Sequence, residues 1–326
     1  MRLFDAYIAV DWSAGSKPSS ESESKNAIWV GEGFIGDGGK LCTISEVYCR
    51  TRRLAESHVR SRLEVHREAQ RRVFLGFDFP YGYPAGFAKA LDLAGNQSPW
   101  RQVWEEYTRL VKDDEKNDNN RFEVANLLNA RCGGPTPGPF WGHPDGRQYL
   151  TLKSKRKGNH QYPYEVGPHL RLDEKRWTEK WAGGQSVWKL FGDASVVGSQ
   201  SIVGIPVVSR LRDDPKLARI SHVWPFETGF TTNPSREKGP FILHVEIWPG
   251  IKSVKDEVEE VFRLDPSVHI LDKAQVRAVV RWLSRLDDEG KLGVLFDRPP
   301  SLPRETLKAC LDEEGWILGG RQSRLK

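Results

Sequence analysis

Two acidic residues each close a short apolar run. Asp11 ends the run 6–11, and Asp78 ends the run 73–78. Apolar runs of this length predict buried strands. Ligands of open α/β sheets gather at the carboxyl ends of strands, so we expect the two carboxylates to lie close together. Because neighbouring carboxylates repel unless they share a proton or a cation, the pair predicts a site for Mg²⁺ or Mn²⁺.

Both acids also have an ordinary structural alternative. Asp11 precedes a turn rich in Ser and Gly, and Asp78 precedes Phe-Pro, so either could be a turn former. Two acids at matching strand ends favour the metal site. Two metals about 4 Å apart would activate a water and hold the leaving oxygen of a phosphodiester.

Glu246 and Asp272 are candidates for the remainder of the catalytic site. Glu246 lies inside the apolar run 240–248, where a buried acid needs a partner, unless the position is an edge that faces water. Asp272 precedes a helical pattern at 273–286 and could be its N-cap. The metal-ligand and N-cap roles of Asp272 remain open at this point.

Four residues are candidate substrate contacts: Trp12, Ser13, Lys189 and Gln200. The first two directly follow Asp11, and the last two could contact a phosphate or a base, or could be surface residues. The basic stretch 153–157 is expected to be a solvated loop, although His160, Tyr162 and Tyr164 beside it would suit stacking on single strands.

The elements around the first two acids follow a definite order. The run 6–11 predicts a strand, 27–34 and 41–48 predict antiparallel neighbours, 53–72 predicts an amphipathic helix, and 73–78 predicts a strand parallel to its partner. Strand, hairpin, strand, helix and parallel strand form the opening order of the ribonuclease H-like fold.

The remainder of the chain is expected to complete one domain, 1–326, with a large insertion at 81–235 that contains little regular sheet. Further elements are expected inside and after this insertion: helices at 85–94 and 99–112, a strand at 240–248, helices at 273–286 and near 303–314, and a strand at 316–318.

Composition limits the class of protein. The 326 residues are 38% hydrophobic with a formal charge of +5, which is a mild bias that does not by itself indicate nucleic acid. We expect no signal peptide, membrane span or disulfide framework, and a cytoplasmic location. HExxH spacing, a Walker-type loop and a GxSxG elbow are absent from the sequence.

The segments 7–14 and 76–87 resemble a bacterial family of uncharacterised proteins predicted to be ribonuclease H-like nucleases. The likeness continues through shorter motifs at 120–122, 138–142, 186–190, 198–200, 224–227, 245–249 and 272–276. Some relatives carry a label linking them to molybdopterin guanine dinucleotide synthesis. The resemblance implies an α/β fold with a ribonuclease H-like mixed sheet flanked by helices. Ribonuclease H proper also has a Glu on its first helix, where this chain offers Glu56, Glu64 and Glu68.

Three functions agree with these features of the sequence. The first is a metal-dependent nuclease, a hydrolase in which Asp11 and Asp78 bind the metals and Glu246 or Asp272 completes the shell. The second is a nucleotide phosphotransferase of the related actin-like fold, with residues 11–16 as a phosphate turn. The third is a non-catalytic module that binds nucleic acid or protein. Fold alone does not decide among them.

Overall fold

A computed structural model of the chain describes residues 2–133, 137–156, 160–192, 196–235, 238–299 and 302–320. The strands are β1 (Ala6–Asp11), β2 (Ile28–Phe34), β3 (Ser45–Cys49), β4 (Arg72–Phe77), β5 (Tyr164–Gly167), β6 (Leu170–Leu172), β7 (Ser221–Val223) and β8 (Phe241–Glu246). The helices are α1 (Arg52–Glu68), α2 (Phe87–Ala90), α3 (Pro99–Leu110), α4 (Arg121–Arg131), α5 (Trp177–Ala182), α6 (Val197–Arg212), α7 (Lys252–Leu264), α8 (Leu271–Asp288), α9 (Gly293–Phe296) and α10 (Arg304–Ala309). A π-helical turn, Cys310–Glu314, continues α10.

Within these described residues the main sheet has six strands in the order β3-β2-β1-β4-β8-β7. β1 is antiparallel to β2 and parallel to β4, and β8 is parallel to both β4 and β7. Helices pack on both faces. The expected α/β class, a mixed sheet flanked by helices, is confirmed.

The pleat of the sheet divides the apolar side chains between two cores. On β1, Ile8 and Val10 face the core under α1 and α6, whereas Tyr7 and Ala9 face the core under α7 and α8. Successive residues of a strand point to opposite faces, so a residue's parity along its strand decides which core it enters.

The helix α1 makes the crossover that places β4 parallel to β1. Its N-cap is Thr51, whose Oγ1 accepts the Leu54 amide at 3.3 Å. Ala55, Val59 and Leu63 recur at helical spacing and are fully buried against the sheet.

Two glycines allow α8 to lie very close to β2. A Cβ built on Gly31 would stand 2.9 Å from the Cβ of Val276, and one on Gly33 would stand 2.9 Å from a methyl group of Val280. Because any larger residue would push the helix outward, these glycines set the height of α8 above the sheet.

The segment 81–235 carries short strands and several helices within its described residues. Its last strand, β7, joins the main sheet beside β8, so the segment is attached to the sheet at both ends. The helix α6 was not expected because its residues are apolar on nearly every side and Pro206 lies inside it.

The expected strand at 316–318 is wrong. This stretch is irregular, although the Leu318 amide donates to the Glu246 carbonyl at 2.9 Å and so caps the end of β8. In the described part of the chain, every helix is too short or too polar to cross a membrane.

Candidate metal site

The ends of β1 and β4 bring Asp11 and Asp78 together. Val10 pairs with Phe77 in the parallel register, so the two acids follow at the same level of adjacent strands. The Asp78 amide donates to the Val10 carbonyl at 3.3 Å, and Asp78 Oδ1 accepts the Trp12 amide at 2.7 Å. The expected proximity of the two acids is therefore present in the structure.

The two acids also share a face of the sheet. Asp11 has the parity of Tyr7 and Ala9, and Asp78 has the parity of Phe74, and these three residues lie in the core beneath α8. Both carboxylates are only partly exposed, at the end of the sheet where α8 begins.

Asp272 is the third acid of this group, and the interpretation of it as an N-cap is wrong. The helix α8 begins at Leu271, so Asp272 lies in its first turn, and no side chain caps the helix. Asp272 Oδ2 instead accepts the backbone amide of Asn26, in the loop between β1 and β2. Asn26 has a φ of 59°, a left-handed conformation that Asn tolerates better than most residues, and its carbonyl accepts Ser13 Oγ at 3.1 Å.

The pKa values of all three acids are raised. Burial, followed by the charges of Asp78 and Asp272, raises the pKa of Asp11 well above its ordinary value. Burial and the charge of Asp272 raise the pKa of Asp78 to about 7. Burial also raises the pKa of Asp272. Crowded carboxylates with raised pKa values form a site that a divalent cation would stabilise.

The donor set fits a hard cation, because Mg²⁺ and Mn²⁺ prefer carboxylate oxygens. Among the described residues, no three His, Cys, Asp or Glu side chains lie where they could jointly hold a metal ion in their present rotamers. Two of the acids instead point at amides: Asp78 at Trp12 and Asp272 at Asn26. Binding of a shared cation therefore requires rotation of these carboxylates toward Asp11.

Glu246 does not join the group, which corrects the expectation that it would help to complete the catalytic site. It has the parity of Ile242 and faces the opposite core. Its carboxylate accepts two hydrogen bonds from Arg176, at 2.8 and 2.6 Å, and one from the Tyr81 amide at 3.0 Å. The buried carboxylate of Glu246 therefore has the guanidinium of Arg176 as its partner.

The first helix supplies no acid to the site. Glu56 pairs with Arg60 and Arg210, and Glu64 pairs with Lys216. Arg60 lies on α1, Arg210 lies on α6, and Lys216 follows α6. These residues are on the face of the sheet opposite α8. Two of the three acids that this helix offers are therefore engaged in structural ion pairs.

The structure places the four expected substrate contacts in different environments. Trp12 is buried, with its ring 5.6 Å from Phe77, and therefore belongs to the core. Ser13 and Gln200 lie at the loop after β1, where Gln200 Nε2 donates to the Trp12 carbonyl. Lys189 lies in the insertion, with its ammonium 5.8 Å from the ring centroid of Trp141.

The aromatic residues beside the basic stretch are largely used in packing. Tyr162 Oη donates to the Pro139 carbonyl at 2.5 Å, and Tyr164 is buried in β5. Arg156 pairs with Glu174 at 2.6 Å, and Lys157 lies outside the described residues. These tyrosines therefore expose little ring surface on which the bases of a single strand could stack.

Arg52 is a supporting residue that the sequence did not single out. It is almost fully buried and donates to the carbonyls of Ser13 at 3.1 Å and Gly15 at 2.8 Å. Its charge is matched by Asp113, with Nε to Oδ2 at 2.5 Å. The guanidinium thus holds the loop that follows Asp11 through two of its backbone carbonyls.

Comparisons with known proteins add no family to this geometry. No family model matches the chain, and no curated protein or solved structure is significantly similar to it.

Proposed function

We propose that the chain is a metal-dependent nuclease that hydrolyses phosphodiester bonds of DNA or RNA. The observation that carries the proposal is the meeting of Asp11, Asp78 and Asp272, from three separate elements, at one end of the sheet with raised pKa values. The opening order of strands, antiparallel β1, β2 and β3 followed by parallel β4, also agrees with a ribonuclease H-like arrangement.

In this proposal the three carboxylates hold Mg²⁺ or Mn²⁺. When bound, the metal supplies a water of lowered pKa and polarises the phosphoryl oxygens. Without metal, the amides of Trp12 and Asn26 hold two of these carboxylates, which would turn toward Asp11 when the cation binds. Arg52, through the carbonyls of Ser13 and Gly15, keeps the loop after Asp11 in one conformation.

The phosphotransferase alternative is less well supported by the loop at residues 11–16. A phosphate turn needs free backbone amides. Here the Trp12 amide donates to Asp78, the Gly15 amide donates to Ser13 Oγ at 3.3 Å, and two carbonyls of the loop face Arg52. The loop therefore uses amides that a phosphate would need.

The non-catalytic alternative is disfavoured by electrostatic repulsion. Asp11 and Asp78, whose pKa values are raised by burial and by neighbouring acids, destabilise the folded chain at neutral pH, and a surface used only for binding gains nothing from them. A bound cation would relieve this repulsion. Perturbed pKa values of this kind cluster at functional sites.

The test is cleavage of labelled single-stranded and duplex DNA and RNA by the full chain with Mg²⁺, with Mn²⁺ and with chelator. We expect metal-dependent cleavage that Asp11→Asn reduces to background, because Asn keeps the shape and removes the charge. Asp37→Asn is the matched control, since Asp37 is exposed in the turn after β2. Equal activity of Asp11→Asn and wild type would overturn the proposal.

A further inference from the structure

A small cavity opens directly beside Asp78. It has a volume of about 140 Å³ and lies where β4 and β8 end, with Asp78 and Pro80 on one side and Ile247 and Trp248 on the other. Pockets that enclose drug-sized ligands occupy about 300–1,000 Å³, so this cavity accommodates a single ring system. Its place at the strand ends is where α/β sheets bind ligands.

One wall of the cavity is an indole held in a fixed position. Trp248 is half-buried, and a Cβ added to Gly250 would stand 2.5 Å from its ring. The indole therefore packs directly on the backbone at Gly250, which restricts its rotation. Val197 and Ile317 add apolar surface to the lining. A flat ring held by such walls suits stacking with an aromatic ligand.

The polar part of the lining consists mainly of hydrogen-bond acceptors. Glu179 and Glu246 are among its lining residues, and both are nearly fully buried with their carboxylates paired to Arg176. Among the described contacts, Glu246 Oε1 accepts from Arg176 Nη2 alone. A carboxylate oxygen can accept more than one hydrogen bond. Arg176 neutralises one of these two acids, so the remaining carboxylate charge, together with that of Asp78, repels a phosphate and attracts a ring that carries an amino group.

We propose that this cavity binds one unpaired nucleobase, adenine or cytosine, which carries an amino group where thymine and uracil carry their 4-carbonyl, next to the bond that the proposed nuclease cleaves. This inference rests on the proposed function for its class of ligand. Carboxylates accept from the amino group of cytosine in other protein–nucleic acid contacts. Thymine and uracil present a carbonyl at the same position, which the acceptors would repel.

The experiment measures binding of fluorescein-labelled oligo-dA, oligo-dC and oligo-dT by anisotropy, using the full chain with Asp11→Asn in Mg²⁺ so that the strands stay intact. We expect oligo-dA or oligo-dC to bind about tenfold tighter than oligo-dT. Adding Trp248→Ala should weaken that binding at least about fivefold and remove the preference. The matched control is Trp177→Ala, an exposed tryptophan of α5 outside the cavity.

A second variant tests the cavity independently of whether Trp248→Ala folds. Val197→Phe fills the cavity from the first turn of α6 and leaves the indole in place, and it should abolish the base preference equally. Equal binding of the three strands, no binding of any, or a preference that survives both variants would overturn the inference. Cleavage without base preference would leave the nuclease standing and reject the cavity, whereas base preference without metal-dependent cleavage would do the reverse.

Discussion

Asp78 Oδ1 accepts the backbone amide of Trp12 at 2.7 Å, so the acid after β4 is bonded to the residue that follows the acid of β1. Together with the Asp78 amide, which donates to the Val10 carbonyl at 3.3 Å, this hydrogen bond fixes the spacing of the two strand ends. It also holds a carboxylate close to Asp11 although their charges repel.

The first prediction concerns pH. The pKa of Asp78 is raised to about 7 from an ordinary 3.8, so the folded chain binds more protons than the unfolded chain between these values. Stability therefore falls as pH rises through this range. Asp78→Asn keeps an acceptor for Trp12 and removes the charge. Without metal, the variant should match wild type near pH 4 and exceed its unfolding free energy by about 1–2 kcal/mol at pH 8. Urea unfolding at both pH values measures this, and a variant that is less stable at pH 8 would contradict it.

The second prediction separates the roles of Asp272. Because its Oδ2 accepts the Asn26 amide, Asp272→Asn retains that bond and loses only charge. We expect an unchanged or raised Tm without metal and a smaller stabilisation by Mn²⁺, which for wild type reaches about 2.7 kcal/mol at 100 times Kd. Thermal melts with and without Mn²⁺ test this. An intact metal response would show that the acid serves only to hold the loop.

The third prediction uses the close approach of α8 and β2. Gly31→Ala should push the helix outward at Val276, one turn after Asp272, and so move this proposed metal ligand without altering it. Overpacking of this kind costs about 1–3 kcal/mol. We expect a lower Tm and a weakened Mn²⁺ response. Gly38→Ala, whose added Cβ would meet no atom within 4 Å, is the control and should change neither.

The fourth prediction tests the exclusion of Glu246 from the metal group. Glu246→Gln leaves Arg176 with one carboxylate fewer in a buried place, and breaking such a pair typically costs about 3–5 kcal/mol. The chain should therefore lose stability but keep its Mn²⁺-induced shift, because Glu246 faces the other core. A lost metal response in a variant that is still folded would return Glu246 to the site.

The sequence predicted the parts of the site that local patterns determine. Strands β1 and β4 and the acids that close them were visible as apolar runs ending in Asp. The helix α8 was visible from its periodicity, with its start misplaced by two residues, and that error made Asp272 look like a cap.

What remained hidden depends on contacts between distant segments. In β8 every residue is buried, so the apolar run did not reveal which face Glu246 takes. The shared parity of His244 and Glu246, two residues apart, was the available signal for a polar feature on one face. Arg176 could not have been chosen as the partner, since it directly precedes α5 of the insertion, 70 positions away.

The position of β4 has a consequence for newly made chains. One edge of β4 pairs with β1, while the other pairs with β8, which lies beyond the whole of segment 81–235. At about 5–20 residues per second, the ribosome leaves that second edge without its partner for on the order of 10 s. An open strand edge is a template for pairing with other chains. Aggregation during translation should therefore be governed by how quickly the insertion is synthesised, and slow codons within it would lengthen the exposure.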